Sequence, residues 1–233
     1  MSLVRRATTL SCFTPGVTLA TFLVELLFVI GAVARYRLLP FGRLVTILLA
    51  LLGTFQLAEY ALCSGRDHEF WMLVAWIAIT CMPAICLHLV ALATGRWMAS
   101  AYCWYGGGLA SIAILLRTPQ VVGAATCTGR FVALSATQAF GTMYAAYYMS
   151  GLLLSVGLLV TGLARRIGHR PLLVWILVGY CVFLVPMTVI ALVVAVSWTS
   201  VPSIMCGFAV LYAIVLSVRV LPIAAQQGLV MRR

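Results

Sequence analysis

The sequence contains no lysine, although it carries fifteen arginines, and it holds only four acidic residues. The missing lysine excludes a retinal pigment of the usual kind, because such a pigment binds its chromophore as a Schiff base on a lysine amine. We therefore expect no retinal, and the sequence indicates no other cofactor. Charged residues make up only 8% of the chain, which is too few to cover the surface of a soluble domain.

Apolar residues are abundant, at 64% of 233 residues, and the mean hydropathy is +1.15. A soluble fold of this size could not hide so many apolar side chains from water. Long continuous apolar runs predict helices that cross a bilayer, since a helix satisfies its own backbone groups in lipid. We predict an all-α, polytopic membrane protein whose seven transmembrane helices form one domain over 1–233, with no soluble domain. The predicted spans are 16–34, 44–63, 70–94, 97–116, 141–164, 171–196 and 201–221.

The positions of the arginines predict the orientation in a cell (inner or plasma) membrane. With the N-terminus outside, the inner segments hold ten arginines and the outer segments five, and basic residues are enriched on the inner side. The outer segment 64–69 also carries two of the four acids, Asp67 and Glu69. We expect the N-terminus outside and the C-terminus inside. Because the arginines are spread among the connections, a lipid bilayer is the expected partner and a nucleic acid is not.

The longest connection, 117–140, lies on the predicted outer face. It is long enough to fold over the mouth of the bundle as a short hairpin or helix, although a solvated loop is an equal alternative. Cys63 ends the second span and Cys127 lies within this connection, so a disulfide between them would hold it across the bundle. The alternative is that these cysteines, together with Cys12, are free thiols.

Two acids, Glu25 and Glu59, lie within the predicted spans. A charged carboxylate at such a depth costs a few kcal/mol, so we expect both to face the interior of the bundle. Aromatic side chains lie at a similar level on the third and fifth spans, and with the acids they predict a ligand-binding site lined by Glu25, Glu59, Trp76, Tyr144 and Tyr148. The alternatives are a neutral acid bonded to a neighbouring helix and an interfacial belt of aromatic residues.

No arrangement of residues typical of catalysis is found, so we do not expect an enzyme. His88 is the only histidine within the spans, and we interpret it as a packing residue rather than a metal ligand. Glycines 106–108 with Ser111 in the fourth span, and Gly151 with Ser155 in the fifth, predict small-residue faces for close helix packing. Pro83 and Pro186 predict bends in the third and sixth helices.

A set of residues in the first half of the chain follows a pattern known from one family. Its members are 55–60 (FQLAEY), Phe70, Trp71, Trp76, Pro83 and the turn 94–96 (TGR). They resemble the N-terminal seven-helix sensor region of bacterial membrane histidine kinases. That family has an acid near the end of its second helix and an aromatic-rich third helix with a proline at mid-length. The basic connection 165–170 and the closing segment 219–221 are similar too, so the resemblance covers most of the chain.

The resemblance implies a sensor that takes part in signal transduction in a bacterial envelope. In that family the helices lead into cytoplasmic domains, whereas this sequence ends at Arg233. We therefore expect a stand-alone sensor or ligand-binding subunit that binds a small apolar or amphipathic ligand and signals through a separate protein partner. The alternatives are a small transporter, an accessory subunit of a membrane complex and, with least support, an enzyme acting on lipid or quinone.

Overall fold

The computed structural model describes residues 15–37, 39–127, 132–194 and 201–227. Within them, seven helices are long and apolar enough to cross a membrane, which confirms the prediction of seven apolar helices. The first six are α1 (Pro15–Tyr36), α2 (Pro40–Cys63), α3 (His68–Thr94), α4 (Met98–Arg117), α5 (Gln138–Ala164) and α6 (Arg170–Val194). The seventh consists of α7 (Val201–Val215), a π-helical turn (Leu216–Val220) and α8 (Leu221–Gln226), which follow one another directly.

Local sequence explains where several helices begin and end. α2 begins four residues before its predicted start, because Pro40 occupies a first-turn position at which no backbone N–H is needed. α3 begins after Asp67, whose carboxylate accepts a hydrogen bond of 3.2 Å from the N–H of Phe70. Gly95 ends α3 with a φ of 68°, a left-handed conformation that glycine adopts without strain. The seventh helix continues five residues beyond the predicted 221.

α3 lies at the centre of the bundle, where it contacts α2, α4, α5 and α6. α7 contacts α1, α2 and α6, whereas α1 and α4 lie at the periphery. The perimeter is strongly apolar, as Leu27, Leu109 and Leu153 are each about two-thirds exposed. Water would disfavour such a surface, and lipid would not. The seven apolar helices and this perimeter indicate a multi-pass membrane protein.

The connection after α4 contains a 3₁₀ turn (Pro119–Val121) and an antiparallel hairpin of β1 (Val122–Cys127) and β2 (Val132–Ala136). Of the alternatives left open by the sequence, the described part of this connection adopts the hairpin. Val132 and Leu134 are buried against the core. They are two residues apart, and alternate residues of a strand point to the same side, so this side of β2 faces the core. We call this end of the bundle the hairpin end, and the other the opposite end.

A few residues used in the sequence interpretation lie outside the described residues. They are Cys12 and the arginines at positions 5, 6, 130, 232 and 233, together with the end of the predicted sixth span.

Candidate functional site

Glu25 is fully buried, although the helix that carries it is mostly exposed. It lies on the face of α1 that packs against α2, one turn further along than Thr21. Opposite it is Gly53, where an added Cβ would stand 3.7 Å from Oε2 of Glu25. The carboxyl group of Glu25 therefore lies close to Gly53, in the contact between the two helices.

Glu59 is also buried, on the facing helix α2 and nearer the hairpin end. It lies one turn beyond Gln56, and the Thr21 hydroxyl donates a hydrogen bond of 2.9 Å to Oε1 of Gln56. Glu25 and Glu59 are close enough for an electrostatic interaction. The half-buried Thr21 and the buried Glu25, Gln56 and Glu59 form a polar set between the two helices, which we call the α1–α2 polar stripe.

The two carboxyl oxygens of Glu25 are buried and have no hydrogen-bond partner among the described residues. A charged carboxylate in the interior of a membrane protein costs about 3 kcal/mol or more when nothing compensates it. This cost favours either a neutral carboxyl group or a cationic group brought by a ligand. The arrangement can thus hold a proton or bind an amphipathic cation.

The predicted aromatic residues form a second group, between α3 and α5. Trp76 meets Tyr144 edge to face, with ring centroids 4.8 Å apart, and Tyr144 lies 6.0 Å from Tyr148. Phe140 joins this group at 5.6 Å from Trp76. The sequence interpretation missed Phe140, although Phe140, Tyr144 and Tyr148 recur every four residues along one face of α5. The indole N–H of Trp76 is buried and has no acceptor among the described residues.

The structure thus buries Glu25 and Glu59 on the facing helices α1 and α2, and it brings Trp76 together with Tyr144 and Tyr148. Two open cavities in the described part have other linings. One is a groove between α1 and the seventh helix, of about 440 Å³. The other lies at the hairpin end between α3, α4 and the hairpin, has a volume of about 600 Å³, and is lined by residues such as Glu69, Phe70 and Leu116.

The hairpin, which forms one wall of this second cavity, is attached to the bundle at two places. A disulfide joins Cys63 at the end of α2 to Cys127 at the end of β1, with Cα atoms 5.8 Å apart. The N–H of Ala125 also donates a hydrogen bond of 3.1 Å to Nε2 of His68 at the start of α3. The hairpin is therefore fixed to two helices that are neighbours in the bundle.

Two further contacts hold α3 against α4 and α5. The Tyr147 hydroxyl donates a hydrogen bond of 2.9 Å to the carbonyl of Thr80, in the turn of α3 that Pro83 weakens by its missing N–H. His88 lies 3.1 Å from the hydroxyl of Tyr105, through Nδ1. Within the described residues, no group of three or more His, Cys, Asp or Glu side chains could hold a metal ion.

A buried polar cluster that the sequence does not indicate lies where α3, α5, α6 and α7 meet. Tyr180 and Tyr212 are almost fully buried, with ring centroids 5.6 Å apart. Their hydroxyl groups approach the thiol of Cys86, and that of Tyr180 also approaches Ser155. The four residues are scattered over the sequence, so only the tertiary packing brings them together.

Neither a protein-family model nor a curated protein matches this chain. The resemblance to the sensor region of histidine kinases therefore stays a prediction from the residues that carry it.

Proposed function

We propose that the chain is a membrane receptor, or the ligand-binding subunit of one, which binds a small amphipathic ligand and signals through a partner protein. The observation that carries this proposal is the α1–α2 polar stripe. Three acids lie within the seven helices: Glu69 is exposed in the first turn of α3, whereas Glu25 and Glu59 are buried on the facing helices α1 and α2. Intramembrane carboxyl groups are costly, and they commonly serve binding or proton transfer.

The aromatic group between α3 and α5 supports the same proposal. Ligand sites are apolar, with a few polar groups that fix orientation. Trp76 offers a buried donor without an acceptor among the described residues, and Tyr144 packs on its ring. A ligand with a cationic group for the carboxyls and an apolar part for the aromatic rings would match both groups.

We further propose that the chain spans the membrane with the hairpin end outside. Among the described residues, two arginines lie at the hairpin end, Arg66 and Arg117. Eight lie at the opposite end: Arg35, Arg37, Arg43, Arg96, Arg165, Arg166, Arg170 and Arg219. Basic residues favour the inner side of a membrane, which supports this orientation. An outer hairpin end would also place the disulfide in an oxidising environment.

Thermal stability of the purified protein with a lipophilic cation tests the proposed site. Tetraphenylphosphonium is a suitable probe, since tetraphenylborate has nearly the same size and the opposite charge. We expect the cation to raise the Tm of the wild-type protein more than the anion does, because ligand binding stabilises the folded state. Glu25→Gln and Glu59→Gln should remove the difference, as each amide keeps the shape and loses the negative charge.

Glu69→Gln is the matched control, because Glu69 is exposed at the same end of the bundle. An equal loss in all three variants would indicate attraction by surface charge and would contradict the proposed site.

The same carboxyl pair favours a second function, transport coupled to a proton or cation. Uptake of labelled tetraphenylphosphonium into proteoliposomes that stops in Glu25→Gln would support transport, whereas saturable binding without uptake would support a receptor.

A further inference from the structure

The opposite end of the bundle has many positive charges and no acidic side chain among its described residues. The chain has four acids: Glu25 and Glu59 are in the polar stripe, and Asp67 and Glu69 are at the hairpin end. Along α1, the nearest acid to Arg35 is ten residues away, which is about 15 Å. None of the four acidic side chains is therefore placed to neutralise the arginines of the opposite end.

The groove between α1 and the seventh helix opens at this end and has one charged residue in its lining, Arg35. Apolar side chains, including Leu27, Phe28 and Leu221, form most of its walls. Leu27 is exposed, so the groove is accessible from the perimeter of the bundle. Its shape and chemistry match a molecule with a long apolar part and a negative head.

A hydroxyl group in the same lining has no partner among the residues that the structure describes. The Oγ atom of Ser217 is buried and forms no hydrogen bond with the described residues. Ser217 belongs to the π-helical turn, in which the N–H of Leu221 bonds to the carbonyl of Leu216, five residues before it. Pro222 follows directly and has no N–H to continue the α-helical pattern. The Ser217 hydroxyl is thus a buried polar group beside a π turn, and such turns often occur at functional sites.

We propose that this groove binds one anionic phospholipid. The Arg35 guanidinium pairs with the phosphate, the Ser217 hydroxyl donates to an ester carbonyl of the glycerol, and one acyl chain lies along Leu27 and Phe28. Arg35 supplies the preference for a negative head group, since basic side chains between transmembrane helices attract anionic lipids. Ser217 supplies affinity for any glycerophospholipid, because the ester carbonyl is common to all of them. This site is separate from the proposed ligand site and does not depend on it.

Native mass spectrometry of the full chain in detergent tests the proposal, with dioleoylphosphatidylglycerol and dioleoylphosphatidylcholine as probes. The first copy of the anionic lipid should bind about fivefold more tightly than the first copy of the zwitterionic lipid. Arg35→Gln should abolish this preference, and Arg35→Lys should keep it. Ser217→Ala should weaken both lipids by the same factor and leave the preference unchanged. Inorganic phosphate should not displace either lipid, because it cannot fill the apolar groove.

Arg37→Gln is the matched control, since Arg37 lies two residues further along and outside the lining of the groove. This variant should bind both lipids as the wild-type protein does. The proposal is overturned if Arg35→Gln keeps the preference, or if Arg37→Gln loses it to the same extent. Displacement by inorganic phosphate would also overturn it, since that result would indicate a phosphate site without a lipid groove.

Discussion

At the scale of single residues, a glycine sets the distance between α5 and its neighbours α3 and α4. The indole N–H of Trp104 on α4 donates a hydrogen bond of 3.3 Å to the carbonyl of Tyr147. One turn further along α5, Gly151 lies directly against the Trp104 ring and Pro83 of α3. A Cβ atom at Gly151 would stand 2.8 Å from Cβ of Pro83 and still closer to Nε1 of Trp104. The contact therefore allows only a hydrogen atom at this position.

We expect Gly151→Ala to destabilise the bundle, because overpacking of a tight contact costs about 1–3 kcal/mol. Gly157→Ala is the control on the same helix, since nothing lies within 4 Å of a Cβ at that position. Alanine there should be neutral or slightly stabilising, as it favours a helix more than glycine does. Reversible unfolding in detergent, followed by circular dichroism, gives both free energies of unfolding. Equal values for the two variants would contradict the close contact at Gly151.

The sequence makes some residues of the candidate site visible and hides others. Glu25 and Glu59 stand out because carboxyl groups are rare within apolar spans, and the structure places both in one interface. Phe140 carries a weaker signal, its four-residue spacing from Tyr144. In the separate groove between α1 and the seventh helix, Ser217 gives no signal in the sequence, because only the structure shows that its hydroxyl is buried without a partner among the described residues.

At the scale of elements, the hairpin is a small unit held to the bundle by a covalent bond, a hydrogen bond and a buried strand face. The disulfide joins it to α2, and the bond from Ala125 to His68 joins it to α3. Val132 and Leu134 contribute the apolar contact. Two strands alone are marginally stable in water, so these attachments maintain the hairpin.

We expect Cys63→Ser to release the hairpin while the seven helices remain. The reason is that the bond constrains residues 64 apart, whereas each helix keeps its own backbone hydrogen bonds. Loss of the disulfide should lower the free energy of unfolding by about 2–4 kcal/mol and should speed hydrogen exchange at Ala125. Cys103→Ser is the control, because Cys103 is exposed and free.

Mass spectrometry of the non-reduced wild-type protein should find the peptides of Cys63 and Cys127 crosslinked. Free, alkylatable thiols at both positions in freshly purified protein would refute the bridge, whatever the stability of the variants.

The elements differ in how well the sequence predicts them. The helices are predictable because apolar runs of this length have few alternatives in a membrane. The ends of the helices are less predictable. α5 begins at Gln138, three residues before its predicted start, because polar residues are tolerated in a first helical turn. β1 (VGAATC) has no clear alternation of apolar and polar residues, so its pairing with β2 depends on the core that Leu134 meets.

At the scale of the whole molecule, the two ends of the bundle differ in charge. The described residues of the hairpin end carry two arginines with Asp67 and Glu69 beside them, whereas those of the opposite end carry eight arginines and no acid. In the proposed topology, an odd number of spans would place the two ends of the chain on different sides of the membrane. Together these features favour one orientation over its inverse.

Reporter fusions at the C-terminus test this orientation directly. We expect a fluorescent protein that matures in the cytoplasm to be active, and alkaline phosphatase, which requires an oxidising exterior, to be inactive. A phosphatase fusion after residue 127 should be active and serves as the reciprocal control. An active phosphatase at the C-terminus would show that the orientation is the inverse of the proposed one.

The bridge between Cys63 and Cys127 also bears on how the protein is assembled. In the proposed topology two membrane crossings, α3 and α4, separate the cysteines, so these would meet on the same side only after both helices have been inserted. During synthesis Cys63 emerges before Cys127, so this bridge could form only after the hairpin has reached the side on which Cys63 lies. Its oxidation would then follow the insertion of α4. In a pulse-chase experiment, the appearance of the bridge would mark the moment when the first four helices have reached their final topology.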